Sequence, residues 1–321
     1  MDRIPTLADV YAARTVISRY LPPTPFQPAE ALSELLGCEA WIKYENLQPV
    51  RAFKVRGGIN LVSRLSAGER TAGVVTASTG NHGQSIAYAG RLFGVRVVVA
   101  APEHSNPVKV AAMRALGAEV VETGPDFDAA REWAERTAAE RGMRYVHSAN
   151  EPDLIAGVAT ASLEMLEVAP DLDAVIVPIG AGSGACGQCV AGKAISPRLQ
   201  VIGVQAEGAP AVWRAFHSGK MEAGPPVSTF AEGLATRIPF SLPLQILRER
   251  LDDLVLVSDA QLKQAMVTLI RTTRMLAEGA GAASTAAAFA LKERLRGKKV
   301  GLVLSGGNVT VESLREVLAE A

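Results

Sequence analysis

Apolar residues along this chain fall into two kinds of segment. Short unbroken runs such as Val95–Ala101 and Ala174–Ile179 alternate with longer alanine-rich stretches whose apolar positions recur at helical spacing. A run without polar alternation is what a strand buried on both faces requires, so the pattern predicts a mostly parallel sheet covered by helices. Strands are predicted at Gly73–Ser78, Val95–Ala101, Glu119–Glu122, Arg144–His147, Ala174–Ile179, Gln200–Gln205, Leu254–Val257 and Lys299–Leu304. Among the helices, Asn106-Pro107 ahead of VKVAAMRAL and Gly117 gives a cap, a first-turn proline and a terminating glycine in the expected order. Helical spacing also marks Ile4–Ser18, Pro125–Gly142, Pro152–Val168, Asp259–Leu276 and Ala280–Leu295, and a further apolar segment lies at Ala40–Asn46. Alternating βα units of this kind predict a doubly wound α/β fold. Ala206–Pro243 is the least regular stretch, with room for a short helix at Ala209–Phe216. No Pro/Gly-rich linker divides the chain, so a second domain is expected to share the architecture and to be discontinuous in sequence.

Composition narrows the classes of function. With 321 residues, 48% of them hydrophobic and 21% charged, the chain is globular and long enough for one large domain or two associated ones. Lys+Arg and Asp+Glu are 33 each, and a neutral chain without a basic block lacks the footprint of a nucleic-acid binder. No apolar run is long enough for a transmembrane helix, and Met1–Pro5 is not followed by the apolar region of a signal peptide. The 3 cysteines make no disulfide framework. These features predict a soluble, cytoplasmic protein that binds neither nucleic acid nor membrane.

Four segments carry candidate chemistry. Lys54, between Phe53 and Val55, is either a partly desolvated amine with a lowered pKa, suited to nucleophilic work, or a surface lysine whose stem lies along a helix. Thr76–Gln84 follows a strand and opens a helix. Its small hydroxyl residues, glycines and Asn81 suit either an anion site at the positive helix end or an ordinary capped turn. Gly180-Ala181-Gly182-Ser183-Gly184 is again a strand-to-helix turn. Its glycines miss the dinucleotide spacing, and no clear acidic residue ends the next strand, which favours a phosphate cradle. Ser305-Gly306-Gly307 ends the last strand, where a hydroxyl either faces a ligand or caps a helix.

Together and in this order, these segments resemble the fold-type II pyridoxal-phosphate enzymes, and within them the serine/threonine dehydratases (threonine ammonia-lyases) and serine racemases, from about Leu21 to Val317. The resemblance implies a two-domain fold like that of the tryptophan synthase β-subunit. Residues 1–65 and 147–321 would form a large cofactor-binding domain and residues 66–146 a small one. It implies pyridoxal 5'-phosphate held as a Schiff base by Lys54 beside Phe53, with Ser78, Thr79, Asn81 and His82 around the substrate carboxylate. Asn81 would also reach the phenolic oxygen, Gly180 to Gly184 the phosphate, Ser305 the pyridine nitrogen, and Glu278 would stand near the ring. A small amino acid is the implied partner, and a homo-oligomer, dimer or tetramer, the implied assembly.

The implied reaction is dehydration and deamination of a β-hydroxy amino acid, threonine or serine first, to a 2-oxo acid and ammonia. Lys54 removes the Cα proton, and a serine at the pyridine nitrogen favours prompt loss of the β-group. Racemisation stays open because Thr79 stands where serine racemases carry a serine as opposite-face base. 3-Hydroxyaspartate stays open because Arg51, three residues before Lys54 where the family more often has glycine, could meet a second carboxylate, although the favoured reading is that Arg51 points to solvent or to the domain edge. β-Replacement of the cysteine-synthase type is disfavoured by His82 after Asn81, and an inactive cofactor-binding regulator by the retention of Lys54, Asn81, the glycine loop and Ser305. Other departures are Arg51-Ala52 for Gly-Ser and Glu232 for the usual Asp. Of the divalent-cation site of some members, only Glu207 is recognisable, with Trp213 where a second carboxylate is expected, so no metal is assigned. Cys186 and Cys189 read as packing residues, and His104, His147 and His217 receive no role. Because the chain ends at Ala321, feedback control through an appended domain is not expected.

Overall fold

The computed structural model describes residues 3–320; Met1 and Asp2, which open the segment read for a signal sequence, and Ala321 lie outside the described residues. The strands are β1 (Phe26–Pro28), β2 (Glu39–Tyr44), β3 (Val74–Ala77), β4 (Val97–Ala101), β5 (Glu119–Glu122), β6 (Arg144–Tyr145), β7 (Ala174–Pro178), β8 (Gln200–Ala206), β9 (Asp253–Val257) and β10 (Lys299–Leu304). They build a six-stranded sheet in the order β1-β2-β10-β7-β8-β9 and a four-stranded sheet in the order β5-β4-β3-β6. Every pairing is parallel except β1 with β2. The fold is thus the mostly parallel α/β architecture that the unbroken apolar runs imply, and β4 is buried along its whole length. Edge strand β5 reads Glu-Val-Val-Glu with both glutamates exposed, which blunts a free edge.

The core of the larger sheet depends on small residues. Helix Gly279–Ala290 is buried from Gly279 to Ala288 and packs against β7, β8, β9 and β10. Its run of Ala and Gly lets the helix approach the sheet closely enough to pack without voids. Helix Lys54–Ser63 meets helix Pro152–Val158 just as closely: a Cβ on Gly157 would stand 2.6 Å from the Arg56 carbonyl oxygen.

Several boundaries differ from the sequence expectation for local reasons. The helix expected over Pro152–Val168 is two, Pro152–Val158 and Thr160–Val168. At the junction the Thr160 hydroxyl donates to the Gly157 carbonyl at 2.7 Å, competing with the helical ladder. The helix from Asp259 stops at Thr273 because Arg274, not a glycine, adopts the left-handed conformation (φ 61°). The strand after Arg144 is only two residues long, since His147 Nδ1 accepts from the amides of Ala149 and Asn150 and turns the chain. The irregular stretch holds helix Ala211–Ser218 and a 3-10 turn at Glu232–Leu234. Short strand β1 and helix Glu30–Leu36 were not expected from the sequence, although Leu32 and Leu36 stand one turn apart and are both buried.

Candidate active site

The carboxyl ends of β2, β3, β7 and β10 lead into the candidate segments, and these line one cavity of about 540 Å3. Clefts at such strand ends are where ligands enter α/β proteins. Lys54 opens its helix half-buried. Its Nζ donates to the Ser148 carbonyl at 2.8 Å and to Ser183 Oγ at 2.7 Å. Burial lowers this amine from 10.5 to about 8. Two imidazoles close by are held neutral: burial first, and then the charge of Lys54, push His82 well below its usual range and His147 down to about 4.

The segment before Lys54 is stitched to the end of β10. The Phe53 amide donates to the Ser305 carbonyl at 3.1 Å, the Gly307 amide to the Arg51 carbonyl at 2.9 Å, and Ala52 bridges Gly306. Arg51 sits exposed in the left-handed region at φ 57°, a conformation glycine adopts freely, and its side chain does not line the cavity. The inward guanidinium considered for dicarboxylate recognition is therefore not what this residue provides.

Ser78, Thr79, Asn81 and His82 all border the cavity. Ser78 Oγ accepts from the amides of Gly80 (3.0 Å) and Gly83 (2.8 Å), so this hydroxyl shapes its own loop. His82 turns inward with its Nε2 2.9 Å from Thr76 Oγ1; that hydroxyl gives its proton to the Val146 carbonyl and so accepts from the ring. Asn81 Nδ2 donates to Glu278 Oε1 at 2.6 Å, and Asn81 Oδ1 accepts from Asn308 at 2.7 Å. Burial raises the Glu278 carboxyl. Ser305 is buried with its hydroxyl turned to the Ala280 carbonyl at 3.4 Å.

The glycine turn borders the cavity and is cramped by its neighbours. A Cβ on Gly180 would stand 2.2 Å from the Gly233 carbonyl oxygen, and one on Gly184 3.2 Å from the Phe53 ring. Gly182, at φ 102°, immediately precedes helix Ser183–Ile195, whose first-turn amides face the cavity end of the turn. A half-buried low-pKa amine, a helix amino end for a phosphate and a strand-end hydroxyl, all bordering one cavity, fit pyridoxal phosphate. Replacing Gly182 with valine should weaken cofactor affinity by about tenfold, because a β-branched residue resists this φ; titration of the apoprotein with the cofactor measures it, and unchanged affinity would remove the turn from the site.

Other residues of interest resolve differently. Cys186 and Cys189 are buried, and burial raises both thiols, Cys189 to about 12, which keeps them protonated. Glu207 is exposed and Trp213 packs on His217 at 4.6 Å, so the pair does not fit a divalent cation; no candidate metal cluster occurs among the described residues. Among those residues no helix is long and apolar enough to cross a membrane. Unanticipated were the hydroxyl of Ser183 on Lys54 and two ion pairs across the cavity, Lys109 with Glu232 and Arg237 with Asp128. Both pairs draw one partner from the irregular stretch, where no periodic pattern could point to them.

A family model described as "Pyridoxal-phosphate dependent enzyme" matches residues 17–306. The L-threonine ammonia-lyase of Thermotoga maritima is 36% identical over 98% of this chain and 78% of that protein. The L-threo-3-hydroxyaspartate ammonia-lyase of Saccharomyces cerevisiae is 35% identical over 96% of this chain and 95% of that protein. Among solved structures, serine racemase from Dictyostelium discoideum superposes with a TM-score of 0.89 at 33% identity, covering 96% of this chain and 99% of that one.

Proposed function

The chain belongs to the family of pyridoxal-phosphate dependent enzymes, and from that premise we propose that it is an ammonia-lyase that eliminates water from a β-hydroxy amino acid, with threonine and serine ahead of a dicarboxylic substrate. The observation that carries this reading is the Lys54 amine, lowered to about 8 and held between Ser148 and Ser183 at the cavity floor. An amine with this pKa is partly unprotonated near neutral pH and suits a general base.

Bound pyridoxal phosphate supplies the carbonyl that captures an amine and an electron-withdrawing ring conjugated to the substrate Cα. Amides at the start of helix Ser183–Ile195 and the Gly180–Gly184 turn would hold its phosphate, and Ser305 would serve its ring nitrogen. Asn81, pinned by Glu278 and Asn308, fixes the ring edge. Amides of the Ser78–His82 loop hold the substrate carboxylate, which directs Cα–H at Lys54. Lys54 Nζ takes that proton, the Cα electron pair forms the Cα–Cβ double bond, and the β-hydroxyl leaves as water on receiving the proton that Lys54 holds. The released enamine hydrolyses to a 2-oxo acid and ammonia.

Elimination is favoured over racemisation because, among the described residues, no base is hydrogen-bonded to the Thr79 hydroxyl. A dicarboxylic substrate is disfavoured because Lys109 and Arg237, the other cations bordering the cavity, are already paired with Glu232 and Asp128. Purified holoenzyme given L-threonine, L-serine and 3-hydroxyaspartate should release ammonia and 2-oxo acid from the first two at higher kcat/KM. Inversion without ammonia, or preference for the dicarboxylate, would refute this.

A further inference from the structure

The charged side chains that border the cavity away from Lys54 are engaged with one another or with backbone. Lys109 is paired with Glu232 and Arg237 with Asp128, while Asp126 accepts the Ala129 amide at the start of its helix. Apolar side chains share this wall with them. Phe127, Pro226, Val227, Ile238 and Phe240 all line the cavity, and none is fully buried; Val227 is 39% exposed. This wall reaches the reacting end of the site. Phe240 packs edge-on against His147 at 4.2 Å, and the next residue, Ser148, holds Lys54 Nζ.

A substrate whose Cα lies at Lys54 therefore directs its Cβ substituent along Phe240 and the other apolar side chains. The methyl of threonine covers little of that surface in a cavity of about 540 Å3, whereas an aryl or branched alkyl group covers much of it. A charged substituent would compete with the existing ion pairs for the same charges. Resting on the ammonia-lyase reading, we infer that the preferred substrates are β-hydroxy amino acids with a bulky apolar Cβ substituent, of which 3-phenylserine is the probe. Elimination balances as for threonine: the Cα proton and the β-hydroxyl leave as water, and the enamine gives a 2-oxo acid and ammonia.

The test compares holoenzyme turnover of 3-phenylserine, L-threonine and L-serine by ammonia and 2-oxo-acid release, in wild type and in Val227→Asp. Val227 is exposed in a loop, so this substitution leaves the fold and Lys54 untouched. The expected result is a kcat/KM for phenylserine at least about tenfold above threonine, since each methylene well placed in an apolar pocket contributes about tenfold or more. Val227→Asp should then lose about tenfold on phenylserine and stay within about twofold on threonine. Parity or inferiority of phenylserine, or equal losses on both substrates in Val227→Asp, overturns the inference while leaving the ammonia-lyase reading intact. Absence of ammonia from all three overturns that reading, and this inference with it.

Discussion

Replacing Lys54 with alanine should lower turnover of any substrate by about 10⁴-fold, the upper range for a lost general base, and abolish the visible absorbance of the cofactor-bound protein. The fold should persist. Burial lowers this amine from 10.5 to about 8, so below pH 8 the folded apoprotein carries an ammonium where its surroundings disfavour it. That penalty is fully present below pH 8 and is relieved as pH rises from 8 towards 10.5. Without it, Lys54→Ala apoprotein should melt at or above the wild-type temperature at pH 7, with the difference closing across that window. Thermal melts at several pH values check this. A variant that melts lower at neutral pH, or that retains turnover near wild type, would show the lysine to be structural.

Arg56, two residues on, points away from the cavity and should behave in the opposite way. Its guanidinium is fully buried, binding Glu45 through Nε and Nη2 (both 2.8 Å) and Glu164 through Nη1 (2.6 Å) and Nη2 (2.7 Å); Lys43 pairs with Glu164 from the other side. Arg56→Ala leaves Glu45 buried without its main partner, so a loss of about 3–5 kcal/mol in unfolding free energy is expected. Burial works to raise the Glu45 carboxyl, but the charge and hydrogen bonds of Arg56, the charge of Lys43 and the Thr24 hydroxyl together outweigh it and hold the acid at about 2. Its contribution is therefore present above pH 4.5 and lost as pH falls from 4.5 towards 2, and that acid-induced loss should flatten in Arg56→Ala. Denaturant titrations at pH 7 and pH 4 measure both effects; a loss under 1 kcal/mol would mean the cluster relaxes around the gap.

Features that were readable from the sequence are those fixed by local chemistry. Unbroken runs such as Val97–Ala101 specify strands covered on both sides, and Gly182 or Ser305 announces a strand end by residue type alone. Lys54 was ambiguous locally, because a Phe-Lys-Val helix start looks the same buried or exposed; only the approach of Ser148 and Ser183, distant in sequence, settles its surroundings. Arg51 is exposed, in line with the favoured reading that it points to solvent, and its left-handed φ accounts for the glycine that relatives more often carry there. The outer cavity was illegible because the 206–243 stretch has no period. Its residues are placed by tertiary partners such as Asp128 and Lys109 rather than by local propensity.

The pairing of β2 with β10 sets an order of events during synthesis. Strand β2 registers against β10 from Glu39 with Lys299 to Tyr44 with Leu304, joining segments near opposite ends of the chain. The four-stranded sheet needs only residues 74–145 and can assemble from contiguous sequence. The six-stranded sheet must wait, with β2 lacking its inner neighbour until the last strand leaves the ribosome. Loop closure across so long a separation is slow, and waiting edges are prone to association. Because Phe53 and Arg51 are tied to Ser305 and Gly307, the reactive lysine takes its place only when that last pairing forms. Nascent chains therefore carry no competent site, and a cofactor that binds only the finished pocket favours the completed fold over earlier, association-prone states.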